Sequence, residues 1–155
     1  MAAKGIRREY EKLRKKHKLP TFAELDNDFE ISRIEAEGFP LREIRKKIID
    51  KLHEVGSLVE EVLNPDTSLA DLYESRIFGE EEKRLIFELY KKLMAFIRHS
   101  AVLAIQCDEK LEAEFIKSFY ADWKKLKPEL LKFATKIKGS WEKETAENES
   151  IGYMG

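Results

Sequence analysis

Glu80 to Cys107 reads EEEKRLIFELYKKLMAFIRHSAVLAIQC, and this stretch decides the fold class. Three glutamates open it, where the positive end of a helix dipole favours negative charge. Leu85, Ile86, Phe87, Leu89, Tyr90, Leu93, Met94, Phe96 and Ile97 follow, then Ala101 to Ile105 and Cys107. At ~100° per residue these side chains sweep an arc of roughly 200°, wider than the ~100° stripe of a surface helix. Such an arc predicts a central helix with neighbours on two or more sides. Arg98-His99-Ser100 splits its apolar runs, so the stretch does not read as a membrane span.

On either side the pattern is also helical. Leu41, Ile44, Ile48, Leu52, Val55, Val59 and Val62 step by three and four, giving an amphipathic helix over 41–63 that opens on Pro40 and stops at Asn64-Pro65. Gly56 lies on its shoulder and suggests a close helix crossing or a bend. Leu111, Phe115, Phe119, Trp123 and Leu126 make the next apolar face, capped by Asp108. Leu130, Phe133, Ala134, Ile137 and Trp141 keep its phase beyond Pro128, so the last segment is either one kinked helix or two collinear ones. Near the N-terminus Ile6, Tyr10, Leu13 and His17 form a narrow stripe. Leu19-Pro20 ends that helix. Thr21 and Glu24 form a capping-box pattern for a short helix carrying Phe22, Leu25 and Phe29. Asp66-Thr67-Ser68 supplies capping oxygens for a second short helix.

The predicted fold is therefore all-α: an antiparallel helical bundle of four long helices, near 4–17, 41–63, 80–107 and 109–138. Two short connecting helices lie near 22–29 and 68–76. One helical-bundle domain spans 1–140, and 141–155 is a polar tail in which Trp141 and Tyr153 are candidate anchors.

Charged residues make up 38% of the 155-residue chain, yet they nearly cancel at net −1. That balance excludes a uniformly basic nucleic-acid binder and an acidic tail protein. Gln106 is the single glutamine, and Asn27, Asn64 and Asn148 are the only asparagines. The bias favours a thermophile-like composition over the blander alternative of a helix-rich mesophile protein. Cys107 is the only cysteine. No intrachain disulfide follows, a cytoplasmic location is expected, and the thiol is expected to be buried and inert. The basic N-terminal stretch is not followed by an apolar run, so secretion is not expected.

Charge is unevenly placed. Met1–Lys18 carries eight basic against two acidic residues, Thr21–Glu37 six acidic against one basic, and Lys117–Lys138 seven lysines against two carboxylates. If the two basic helices lie side by side, Arg7, Arg8, Lys12, Lys15, Lys16, Lys124 and Lys125 would form a nucleic-acid-binding face. Solvated helix surfaces paired with neighbouring carboxylates are the plainer account. Asp50 and His53 make a D-x-x-H spacing, an incomplete half of the Glu-x-x-His ligand pair of metal-binding bundles. Asp108, Glu109, Glu112 and Glu114 cluster where a helix N-terminus favours them in any case. His99 and Ser100 are adjacent on one helix and cannot form a nucleophile–base pair. Ser100 would satisfy itself on the carbonyl of Phe96.

No motif is strong enough to name a reaction: phosphate loops, dinucleotide fingerprints and zinc spacings do not occur in the sequence. The expected function is a non-catalytic protein-interaction or scaffold module, with a protein partner or self-association, no membrane and no cofactor. The first alternative is RNA or DNA binding through the basic helices 4–18 and 117–138. The second is a metal-dependent helical enzyme using Asp50, His53 or the 108–114 carboxylates.

Overall fold

The computed structural model describes residues 2–35 and 38–143, with side chains in α1 from Ile6 onward. Six α-helices follow in order: α1 (Ala2–His17), α2 (Phe22–Phe29), α3 (Pro40–Leu63), α4 (Leu69–Arg76), α5 (Glu80–Gln106) and α6 (Glu109–Trp141). A 3-10 turn at Ile31–Arg33 follows α2, and no strand occurs among the described residues. The fold is all-α, with four long and two short helices as the periodicity requires.

Local chemistry sets the ends. The Thr21 hydroxyl accepts from the Glu24 amide at 3.1 Å while Glu24 Oε1 accepts from the Thr21 amide at 3.1 Å, which completes the capping box of α2. Ser68 caps α4 and Asp108 caps α6. Pro40 is the first residue of α3, where its missing N–H costs nothing. Cys107, in a left-handed conformation at φ 53, turns the chain between α5 and α6. Pro128 does not end α6, which continues unbroken for 33 residues with Pro128 on its exposed side.

Helices α3, α5 and α6 alternate in direction. Arg45 near the start of α3 meets Ser100 near the end of α5 and Glu112 near the start of α6. At the other end, Lys136 of α6 meets Glu82 of α5, and Tyr73 of α4 donates to the carbonyl of Ser140. So α3 and α6 run the same way and α5 runs against both. The α1–α2 layer lies across the lower part of α3 and α6. Phe29 packs on Phe119 and Trp123 with ring centroids 5.6 and 5.2 Å apart. Phe115, Phe119 and Trp123 stack along α6 as core, each adding apolar area and favourable ring geometry.

The centre of the bundle differs from expectation. α6 buries twelve residues and α3 nine, but α5 buries only Ile86, Leu93, Ile97, Ser100 and Leu103. Both neighbours of α5 pack on one side of it, so the edges of its wide apolar arc are left in solvent. Leu85 is 62% exposed, Val102 50% and Ile105 83%. Cys107, expected to be buried, is exposed, because the turn that holds it lies at the end of the bundle. Gly56 is buried, but a Cβ built there meets no heavy atom within 4 Å, so no close crossing requires a glycine. Of the expected tail, Trp141 is still helical. Its ring lies 4.3 Å from that of Tyr73, and its Nε1 donates to Glu74 at 2.8 Å. Tyr153 lies outside the described residues.

Candidate functional site

The most ordered polar cluster is internal. Arg45 Nε donates to Glu112 Oε2 at 2.6 Å, and Arg45 Nη1 donates to Ser100 Oγ at 2.5 Å and to the Ser100 carbonyl at 3.3 Å. All three residues are at most 5% exposed. Arg45 Nη2 and Glu112 Oε1, the two atoms that would complete a side-on bidentate pair, have no partner. Ser100 thus finds its partner on α3 rather than on Phe96 of its own helix. No open face reaches this cluster. Its chemistry is that of a register pin: one cation and one anion that are costly to bury apart and tolerable only together.

The residues expected to bind nucleic acid are all placed on the outer surface, and several are already engaged. Arg7 lies over the Phe22 ring at 5.0 Å, and Lys124 over Tyr120 at 5.2 Å. Lys12 pairs with Glu9 at 3.8 Å. Lys16 pairs with Glu109 at 3.2 Å, and His17 Nε2 lies 3.1 Å from the same Oε1. Those contacts, His17 first, hold the Glu109 carboxyl below the usual carboxylate range. Arg8, Lys15 and Lys125 are exposed. The residues the fold brings together share only Lys16 with the expected set. Lys16 and Lys18 at the end of α1 and Lys110 and Lys117 at the start of α6 line one hollow of about 230 Å³ with His17, Ala113 and Glu114. Lys18 closes the N-terminal basic run and Lys117 opens the second one, but Lys110 sits among carboxylates, and no local pattern in the sequence joins the three.

Two apolar grooves flank the second half of α6. One, about 230 Å³, lies against α5 and is lined by Phe78, Leu85, Ile86, Leu89 and Phe133. Lys136 straps it, 2.5 Å from Glu82 and 4.9 Å from the Phe78 ring. The other, about 190 Å³, lies against α3 and includes Val55, Leu58, Leu130, Leu131 and Ala134. Its lower rim is Lys51, Trp123 and Lys127. These three grip Asp28 of α2: Trp123 Nε1 donates to Oδ2 at 3.0 Å, Lys127 Nζ to Oδ1 at 2.5 Å, and Lys51 Nζ to the carbonyl. The open groove is therefore the continuation of the one that α2 fills.

Asp50 and His53 are exposed on α3. The 108–114 carboxylates diverge: Asp108 caps α6, Glu109 takes Lys16 and His17, Glu112 takes Arg45, and Glu114 is exposed at the hollow. His99 is exposed, with its ring edge-on to Phe115 at 5.2 Å. Among the described residues no group of three His, Cys, Asp or Glu side chains is placed to hold a metal ion, and no helix is long and apolar enough to cross a membrane. No protein-family model, curated protein or solved structure matches this chain.

Proposed function

We propose that this chain is a helical interaction module that seats an amphipathic helix of a protein partner in the open half of the α3/α6 groove. The observation that carries this reading is the continuity of that groove with the one occupied by α2. The chain's own α2 shows what the surface accepts: an apolar face that includes Phe29, and an acid, Asp28, gripped by Lys51, Trp123 and Lys127. Past α2 the groove keeps the same apolar character, and Leu131 is 56% exposed beside it. Helix-in-groove recognition takes its affinity from a few apolar anchors of this kind.

The test is a photo-crosslinking amino acid placed at Leu131, with Lys92 on the outer surface of α5 as the control position. The expected result is one discrete adduct from Leu131 in native cell extract, lost when Leu58 is changed to Asp. The same bands from both positions, or none, would remove the proposal. An adduct with a second copy of this chain would reassign the groove to self-association.

A further inference from the structure

We infer that the hollow between the end of α1 and the start of α6 is a binding site for the phosphates of a nucleic-acid backbone. Four ammonium groups, of Lys16, Lys18, Lys110 and Lys117, line it against the single carboxylate of Glu114. Among the described residues Lys18, Lys110 and Lys117 form no ion pair, whereas many other basic side chains of this protein lie on a neighbouring carboxylate. Lys16 and His17 are steered to the rim by Glu109, whose Oε1 contacts both. Folding therefore brings like charges from two helices together, in excess over the one carboxylate that lines the hollow, and three of them make no ion pair among the described residues. That arrangement opposes stability and is relieved by an anion.

Position along the helix argues for a polymer rather than a lone phosphate. Lys110, Lys117 and Lys124 recur every seven residues on the outer face of α6, so their row rises about 10.5 Å per step and about 21 Å in all. A phosphodiester chain seated in the hollow runs on to Lys124, while a single small anion does not reach it. No Phe, Tyr or Trp lines the hollow, so bases are not stacked there, and recognition is of the backbone and independent of sequence. The net charge of −1 does not oppose this. Asp108 and Glu109 border the adjoining hollow but are committed to the α6 cap and to Lys16 and His17, and the Glu80-Glu81-Glu82 cluster opens the 27-residue α5, about 40 Å from its Cys107 end. That is several screening lengths at physiological salt.

The experiment is fluorescence anisotropy of labelled RNA and DNA strands of about 20 nucleotides, titrated with the full chain at several salt concentrations. The expected result is binding at low salt, with log K falling against log salt at a slope near −3 for about four phosphate contacts on a single strand. The triple variant Lys18→Glu, Lys110→Glu, Lys117→Glu should lose at least about tenfold in affinity and flatten the slope. The charge-matched control Arg76→Glu, Arg84→Glu, Lys92→Glu should bind as the parent does. A milder triple change of the same lysines to Gln guards against misfolding, checked by circular dichroism. A preference for RNA or for DNA, or equal binding of both, each supports the site and says which backbone it takes. Absence of binding at low salt, or equal loss in the site and control variants, overturns it.

Discussion

Arg45 Nε and Glu112 Oε2 lie 2.6 Å apart, on two helices that begin at the same end of the bundle, and both side chains are buried. Ser100, from the antiparallel helix between them in sequence, accepts a second Arg45 donor. One ion pair thus fixes the relative height of α3, α5 and α6. Removing one partner leaves an unpaired charge in the core, so Arg45→Met or Glu112→Leu alone should each cost about 3–5 kcal/mol. The double variant should recover much of that loss, since no charge remains to be solvated. Urea unfolding of the four proteins forms the cycle. Additive losses in the double variant would show that the pair acts only through packing.

Gly56 offers the opposite sign. It sits inside α3, where glycine costs helix stability, and an added methyl meets no heavy atom within 4 Å. Gly56→Ala should therefore stabilise the protein by about 0.5–1 kcal/mol. A raised urea midpoint at unchanged slope is the expected readout. A lowered midpoint would mean that the backbone bends or moves at this position in solution.

The cap of α2 gives a pH-dependent outcome. Thr21→Ala should cost about 1 kcal/mol by removing a hydroxyl acceptor from the first turn. Glu24 is held below the ordinary carboxylate range, first by the Thr21 hydroxyl and then by the Thr21 amide. Its folded pKa lies below its unfolded one. The stabilisation is therefore complete above about pH 4.3 and is lost as pH falls through the folded value. Glu24→Gln should destabilise at neutral pH, and its unfolding midpoint should approach that of the parent near pH 3. A constant difference across that range would contradict the sign.

Cys107 follows from the exposed turn between α5 and α6. Its thiol should react with a colorimetric disulfide reagent to one equivalent per chain in the absence of denaturant. Reaction only after unfolding would return it to the buried state that its apolar sequence context suggests.

Much of the fold was legible because helical phase and caps are local. Thr21 with Glu24, Pro40, Ser68 and Asp108 all do what their positions imply. The rank of the helices was not legible. A 200° apolar arc on α5 states only that apolar side chains exist, while the number of neighbours that cover them depends on how α3 and α6 approach. The polar pin was partly visible. Arg45 sits four residues after Leu41 and three before Ile48, and Glu112 sits three before Phe115 and four before Ile116, so each interrupts an apolar stripe. Ser100 does the same on α5. One base, one acid and one hydroxyl on three apolar faces are a set that only tertiary contact can join. The hollow was invisible for another reason: Lys18 and Lys110 are ninety-two positions apart, and charge runs along the chain do not report neighbours across it.

Two tryptophans test the docking of α2 against the bundle. Trp123 is 3% exposed and donates to Asp28, whereas Trp141 is 52% exposed on Tyr73. Trp141→Phe should leave a blue-shifted emission from Trp123 that iodide quenches weakly. Trp123→Phe should leave a redder, readily quenched emission from Trp141. The Trp123 substitution also removes the N–H that holds Asp28, although Lys127 still holds its other oxygen. The hydrogen-bond loss should therefore be about 0.5–1.5 kcal/mol, on top of the packing lost with the larger ring. Asp28→Asn keeps an acceptor for Trp123 but removes the charge opposite Lys127. If α2 is seated as described, Asp28→Asn should weaken protection of the α2 amides from hydrogen exchange while leaving α5 and α6 as protected as before. Equal loss across all helices would mean that α2 unfolds only with the whole chain, and that the groove it occupies does not exist apart from it.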